Sequence, residues 1–463
     1  MKAAAPALGP GADSCAQIVP STGGRGCAIA LQLLLLAALR LAIQVGLTPV
    51  FEGPDEAFHL GRATAFARGG LAVGWREETL DSSIVRAIRA HPCAPDLQRA
   101  FGCRGFPGSS PDLAGQSRGS SGSMDPVWNY ESHQPPLYYL GVAGAIALFE
   151  RAAPAGNVEA PERDLVIGRF FSLALVVTGG TIVLLGIPGA RRATSLAFAG
   201  LILLLPGASE ALIRVSNDAG LFFWSACACV WLCRDRPSRS WGAVIAAVGP
   251  LIKLTAFPIV AVMVVQRWAK RDRLGAVMVA LASCLVLPLQ SLRGYAYGGT
   301  VELNRSSGQE ILGLGETVLG LAKSFLVCLK TAVWLGNWSF FRPPRVLLIA
   351  LVVVFAWVLL AYRPTSPSRE NIPHLAGLIV AAVGIVAFSV GSRRLFGIWG
   401  GVGGWYLWGW TPWLFVAAQE LLEKLPNARA WPRITVLGAA VLATNIAWLQ
   451  SAVALYGCLL CGR

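Results

Sequence analysis

Apolar residues run in long stretches from position 28 to the C-terminus, Ala28–Leu39, Leu173–Ile187 and Val346–Leu360 among them, with short polar breaks between. Such stretches predict helices that cross a bilayer, because backbone in lipid must satisfy its hydrogen bonds internally. The first run, about Cys27 to Val50, is long enough to span, and no small-residue cleavage site follows it. Further spans are expected at about 165–187, 194–212, 219–233, 274–292, 346–362, 373–391, 405–421 and 434–456. The run Trp241–Gln266 holds Pro250, Lys253 and Pro258 in its middle, which predicts two short helices in a hairpin with Lys253 near the tip. Pro135–Phe149 is short for a span and is expected to lie on the outer surface as a juxtamembrane helix.

The predicted fold class is an all-α polytopic membrane protein, a bundle of about 11 transmembrane helices with a long first extracytoplasmic loop. Its organisation is a cytoplasmic tail at 1–27, a first transmembrane helix at 28–50 and a loop at 51–164 that carries the juxtamembrane helices. Core spans follow at 165–292, an extracytoplasmic loop or interfacial segment at 293–345, and C-terminal spans at 346–463.

Composition agrees: 55% of residues are hydrophobic and 14% charged, against about 25% charged in soluble domains. That excludes a soluble enzyme, a disordered chain and a disulfide-stapled secreted domain. The net charge is +14, yet Phe51–Asp164 holds 10 Arg, no Lys and 14 acidic residues. A basic excess outside that loop is what positive-inside topology requires. It puts the N-terminus, the Arg191/Arg192 pair and the Arg234–Arg239 run in the cytoplasm, and the acidic loop outside. No basic soluble domain exists to hold nucleic acid. The Arg-over-Lys and Ala/Gly bias fits a GC-rich bacterium, and so a bacterial inner membrane.

Of the cysteines, Cys227, Cys229, Cys233, Cys284 and Cys328 lie in or beside apolar segments and are expected to be small buried hydrophobes. Cys93 and Cys103 share the hydrophilic loop and can pair in an oxidising compartment.

Three polar constellations stand out. Phe51-Glu-Gly-Pro-Asp-Glu-Ala-Phe-His59 follows the first span; Asp55 and His59 share a helix face there, as an acid at a helix dipole or as a catalytic pair. Asn129-Tyr-Glu-Ser-His-Gln-Pro-Pro-Leu-Tyr-Tyr139 places Glu131 and His133 before a rigid Pro-Pro entry, with Tyr130, Tyr138 and Tyr139 expected in the headgroup belt. Arg214-Val-Ser-Asn-Asp218 sits at the outer end of a span, where Asn217-Asp218 can also serve as a helix cap. The outer basic set comprises Lys253, Arg293, Arg305, Arg342, Arg345, Arg393 and Arg394, candidates for an anionic headgroup. Trp405, Trp408, Trp410 and Trp413 suit an interfacial belt or, less readily, stacking on sugar.

Pro54-Asp-Glu-x-x-His59, His133-Gln-Pro-Pro-Leu-Tyr-Tyr139, Asn217-Asp218 and Lys253 within Leu-Ile-Lys-Leu-Thr-Ala-Phe-Pro258 occur in that order. Together they resemble a GT-C-type glycosyltransferase, most similar to a bacterial membrane-protein branch of that superfamily, over the chain from about residue 28. The resemblance implies transfer of a sugar from a polyprenyl-phosphate carrier to a glycan, lipid or protein acceptor on the outer face. Asp55 is then the catalytic acid residue of the first loop, working as general base, with Glu56 beside it. His59, Glu131, His133, Arg214, Asn217, Asp218, Lys253, Arg393, Arg394 and Tyr406 become the substrate-binding candidates. A divalent cation, Mg or Mn, shared by Asp55, His59 and His133 is the candidate cofactor. One departure from the family pattern is Gly403-Gly-Trp-Tyr406 before Pro412, where Trp405 stands in place of an arginine; Arg393 or Arg394 would have to supply that phosphate contact. The rival class is a transporter or flippase of lipid-linked sugar, which would favour paired halves and broken helices at the midplane. A non-catalytic scaffold is the other, although it needs no acids and histidines at one rim.

Overall fold

The computed structural model describes residues 24–52, 55–69, 79–91, 93, 101, 103, 129, 131, 134–152, 160–186, 193–234, 237–288, 313–333, 344–360, 372–396, 403–416 and 427–461. Among them the chain is helical. In order the principal helices are α1 Gly24–Leu47, α2 Glu56–Ala67, α3 Ser82–Ala90, α4 Leu137–Ala152, α5 Ala160–Gly186, α6 Ala193–Leu203, α7 Pro206–Ile213 and α8 Asn217–Leu232. They continue as α9 Arg239–Ile252, α10 Phe257–Ala269, α11 Arg273–Cys284, α12 Leu314–Val333, α13 Arg345–Leu360, α14 Ile372–Phe396 and α15 Asn427–Cys461. By length and composition, three stretches among the described residues suffice to cross a membrane: Pro161–Gly186, Ile372–Gly391 and Trp431–Ala454. Shorter apolar helices include Leu31–Leu47, Arg239–Ile252 and Leu254–Ala269.

The surface is inverted relative to a soluble protein. On α1, Leu31, Leu35, Leu36, Leu39 and Ile43 are exposed, while Gln44 and, just past its end, Thr48 are buried. Apolar faces outward and polar groups inward are what a lipid solvent selects. α1 packs on α6, α5 on α8, α10 on α14, and α13 on α15.

Local chemistry sets the ends of the elements around the site. Ser216 caps α8 by accepting from the Asp218 amide, and Ser238 caps α9 by accepting from the Trp241 amide. α8 and α9 run antiparallel, tied by Trp224 Nε1 to the Ile245 carbonyl and Trp231 Nε1 to the Ser238 carbonyl. α9 carries Pro250 and stops at Lys253, whose backbone is extended; a 3₁₀ turn at Leu254–Ala256 follows, and Pro258 opens α10. Asp272 joins the far ends by accepting from Arg239 and Arg267. The expected hairpin with Lys253 at its tip is therefore present, and α11 packs against both of its arms.

Cys93 and Cys103 form a disulfide. Cys229 and Cys328 are buried as expected, Cys227 and Cys233 are half-buried, and Cys284 is exposed on the apolar α11, a correction to its expected burial. The tryptophans also differ from expectation. Trp408, Trp410 and Trp413 are buried, and Trp410 and Trp413 donate to the Thr255 carbonyl at 2.7 Å and to His374 Nδ1 at 3.0 Å. Their burial and these hydrogen bonds make them internal anchors rather than a lipid-interface belt. The Trp405 side chain lies outside the described residues.

Candidate functional site

The site starts at the top of α1. Past Thr48 the chain turns into α2, and Asp55 sits at the N-cap with φ 64°, a left-handed conformation that few non-glycine residues adopt. Its side chain makes no capping hydrogen bond, and its place at the N-terminus of α2 matches the expected acid at a helix dipole. Asp55 is half-buried, whereas Glu56 and His59 are buried.

Glu56 faces away from solvent. Its two oxygens accept from Arg169 Nε at 2.9 Å and Nη2 at 2.6 Å, and Oε1 also accepts from the Val215 amide at 3.0 Å. Arg169 further donates to the carbonyls of Thr48 at 2.7 Å and Pro49 at 2.8 Å. This fork-to-fork pair fastens the end of α1, the start of α2, the middle of α5 and the link before α8. Both Glu56 oxygens are committed to the fold.

His59 lies over the loop that precedes α4. Its Nδ1 is 2.6 Å from the Tyr139 hydroxyl and 3.4 Å from Glu131 Oε2. The Tyr139 hydroxyl is 3.5 Å from the same Glu131 oxygen. Asn129 holds the loop in place: its Nδ2 donates to the Phe58 carbonyl at 3.0 Å, and its Oδ1 accepts from the Glu131 amide at 3.1 Å. Gly61 permits this approach, since a Cβ there would fall 2.5 Å from Leu80 Cδ2 and 3.2 Å from Asn129 Nδ2. Burial, and next the charge of Asp55, push the Glu131 carboxyl up to about 8.

Asp218 gathers the cations. Lys253 Nζ donates to its Oδ1 at 2.5 Å, and Arg214 Nη2 and Ser216 Oγ donate to its Oδ2 at 3.3 and 2.9 Å. The Lys253 ammonium also stands 4.4 Å from the ring centroid of Tyr406. Asn217 donates to Gln134 Oε1 at 3.2 Å, linking α8 to the Pro-Pro entry of α4. Asp55, Lys253, Arg214 and Asp218 all act electrostatically on Glu131, so the acid and cation groups form one site.

Of the residues singled out in the sequence, the fold assembles Asp55, His59, Glu131, Arg214, Asp218, Lys253 and Tyr406, with Asn217 at the edge and Glu56 just beneath. Arg393 pairs instead with Glu316 across α12 and α14, at 3.0 Å. His133 and the Arg394 side chain lie outside the described residues, as do Arg293, Arg305 and Arg342. Asn217 and Asp218 occupy the first turn of α8, and the capping role falls to Ser216. Tyr138 and Tyr139 are buried, which corrects the expected headgroup belt for these two; Tyr130 lies outside the described residues. The Tyr138 hydroxyl lies 2.7 Å from Ser172 Oγ and accepts from the Ser216 amide at 3.0 Å. Sequence reasoning missed Tyr139 and Arg169. An arginine inside an apolar run is a costly residue that needs a partner, and that signal was available for Arg169.

Asp55, His59 and Glu131 each offer one ligand atom, all within 4.8 Å of one another, and so can hold a metal ion.

Lipid-facing apolar helices around a buried cluster of ionisable groups define an integral membrane protein with a polar site built between helices. The chain belongs to the family described as "Predicted membrane protein (DUF2142)", which matches residues 38–409. No curated protein matches the sequence. Among solved structures it is similar to the crystal structure of ArnT from Cupriavidus metallidurans bound to undecaprenyl phosphate, with 16% identity and a TM-score of 0.42. That similarity covers 90% of this chain and 63% of the ArnT chain, so this chain spans under two thirds of its length.

Proposed function

We propose that this protein is an integral-membrane glycosyltransferase that moves a sugar from a polyprenyl-phosphate donor to an acceptor hydroxyl on the extracytoplasmic face. The observation that carries the reading is the juxtaposition of a half-exposed carboxylate, Asp55, with a buried Arg214–Asp218–Lys253 cluster in one site. Acceptor oxygen attacks the anomeric carbon, the bond from that carbon to the phosphate oxygen breaks, and the acceptor proton passes to Asp55. The polyprenyl phosphate leaves carrying the bonding electrons. Lys253 and Arg214 stabilise the charge on the departing phosphate, with Asp218 keeping both cations in place. Glu56 and Arg169 position Asp55, and Tyr139 with Glu131 sets the orientation of His59.

An outer-face site is supported by the charge distribution along the chain and by the Cys93–Cys103 disulfide, which suits an oxidising compartment. A cysteine at Ser120 is expected to react with an impermeant label in intact cells, and one at Ser238 is not.

The broken helix at Lys253 favours a second reading, a transporter of lipid-linked sugar. Native mass spectrometry of the purified protein separates the two. Bare carrier on the wild type with sugar-loaded carrier on Asp55→Asn is expected for a transferase. The same lipid state on both proteins would favour the transporter.

A further inference from the structure

We infer that Asp55, His59 and Glu131 form a binding site for one first-row divalent metal ion of the manganese or zinc type. The inference deepens the proposed function and rests on it only for the role of the ion; the binding itself stands on geometry.

The donors come from two separate parts of the chain: Asp55 and His59 from the start of α2, and Glu131 from the loop before α4. Each presents a ligand atom within 4.8 Å of the others, the spread that ligands around a single ion occupy. Helical spacing sets the first two. The His59 amide donates to the Asp55 carbonyl at 2.9 Å, which places the two side chains one turn apart on one face. Glu131 is brought in by the Asn129 bridge, with His59 Nδ1 3.4 Å from its Oε2. Its register is therefore fixed independently of any interaction with Asp55.

Asp55 and Glu131 supply two carboxylates beside one imidazole, donor types that a first-row divalent cation takes. His59 and Glu131 are buried while Asp55 is half-exposed, so the site is closed on the protein side and open at Asp55.

The donor set selects the ion. Two carboxylates and one imidazole suit manganese or zinc, whereas magnesium and calcium favour oxygen ligands throughout. The sequence alone placed His133 in this set; it lies outside the described residues, among which Glu131 joins Asp55 and His59. An ion on one oxygen of Asp55 leaves the other oxygen for the acceptor proton, and it would draw the acceptor hydroxyl into the site by Lewis-acid polarisation.

The test is metal binding by the full-length protein in detergent, with no donor or acceptor present. The protein is stripped with EDTA, dialysed and titrated with Mn²⁺, and free Mn²⁺ is followed by electron paramagnetic resonance. Wild type is expected to take up one ion per chain. Glu131→Gln and His59→Ala are expected to weaken binding by about tenfold or more, the scale on which losing even an outer-shell partner acts. Asp81→Asn, on α3 and outside the cluster, is expected to bind as wild type does. Size-exclusion profiles establish that each variant is folded, and the near-isosteric Glu131→Gln carries the result if His59→Ala does not fold. Absence of saturable binding to wild type, or unchanged binding in folded Glu131→Gln, overturns the inference. Sugar transfer by EDTA-stripped enzyme at the full rate would leave the transferase standing and remove the ion from the reaction.

Discussion

Glu56 and Arg169, 113 residues apart, meet through hydrogen bonds of 2.9 and 2.6 Å in a fully buried pair. Removing one partner strands the other charge in an apolar interior, a loss of about 3–5 kcal/mol. Arg169→Met and Glu56→Gln are therefore expected to lower the thermal unfolding midpoint in detergent and to reduce yield. Wild-type stability in both variants would show that the clamp is not structural.

Lys253 presents its ammonium to Asp218 and to the Tyr406 ring at once. A hydrogen bond to a charged group contributes about 1.5–3 kcal/mol, so Lys253→Met should weaken donor-lipid binding by roughly tenfold or more. Lys253→Arg keeps the charge and should retain part of the affinity. Titration of the purified variants with polyprenyl phosphate, read by native mass spectrometry, measures this. Equal occupancy in Lys253→Met and wild type would remove lysine from the phosphate site.

The Cys93–Cys103 disulfide closes a short loop, with a sequence separation of 10. A cross-link of that span contributes about 2–3 kcal/mol through the unfolded chain. Cys93→Ser, or reduction of the wild type, should destabilise the loop around the disulfide while leaving the bundle helical. Limited proteolysis with and without reductant reports the difference, and non-reducing peptide mapping should recover the 93–103 pair. Free thiols at both positions in protein purified from membranes would contradict the structure.

Asp81 caps α3, accepting from the Ser83 amide at 2.8 Å and hydroxyl at 2.6 Å, and also pairs with Arg68. The Ser83 side-chain hydrogen bond is the largest factor holding its carboxyl below the usual value of 3.8. A carboxyl depressed in the fold contributes stability that is complete above the unfolded value and is lost as pH falls through the folded one. Asp81→Asn keeps a capping oxygen and removes the charge, so it should be destabilising at neutral pH and progressively less so in strong acid. Thermal melts from pH 7 down to 2 test this, and a constant difference across that range would assign the loss to something other than the carboxylate.

Much of the architecture was legible because lipid imposes a simple rule. Apolar runs had to become helices, and the proline-flanked Lys253 had to interrupt one. Candidate chemistry was legible for a related reason: ionisable groups are costly near lipid, so Asp55, Glu131, Asp218 and Lys253 stand out against the apolar background. Partners were not legible. Glu56 adjoins Asp55 in sequence, yet helix rotation turns it inward to Arg169 while Asp55 keeps an open side. Arg393 was a phosphate candidate by position, and its pairing with Glu316 across two helices was not legible in the sequence.

The sequence by itself determined a helical membrane protein, the break at Lys253 and the residues able to carry chemistry, since hydropathy and charge act locally and can be read in order. Only the tertiary structure decided that Tyr139 faces His59 rather than the headgroups, that Glu131 stands beside Asp55, and that Lys253 and Arg214 share Asp218. Those pairings depend on how helices far apart in the chain rotate and pack, which no local pattern encodes.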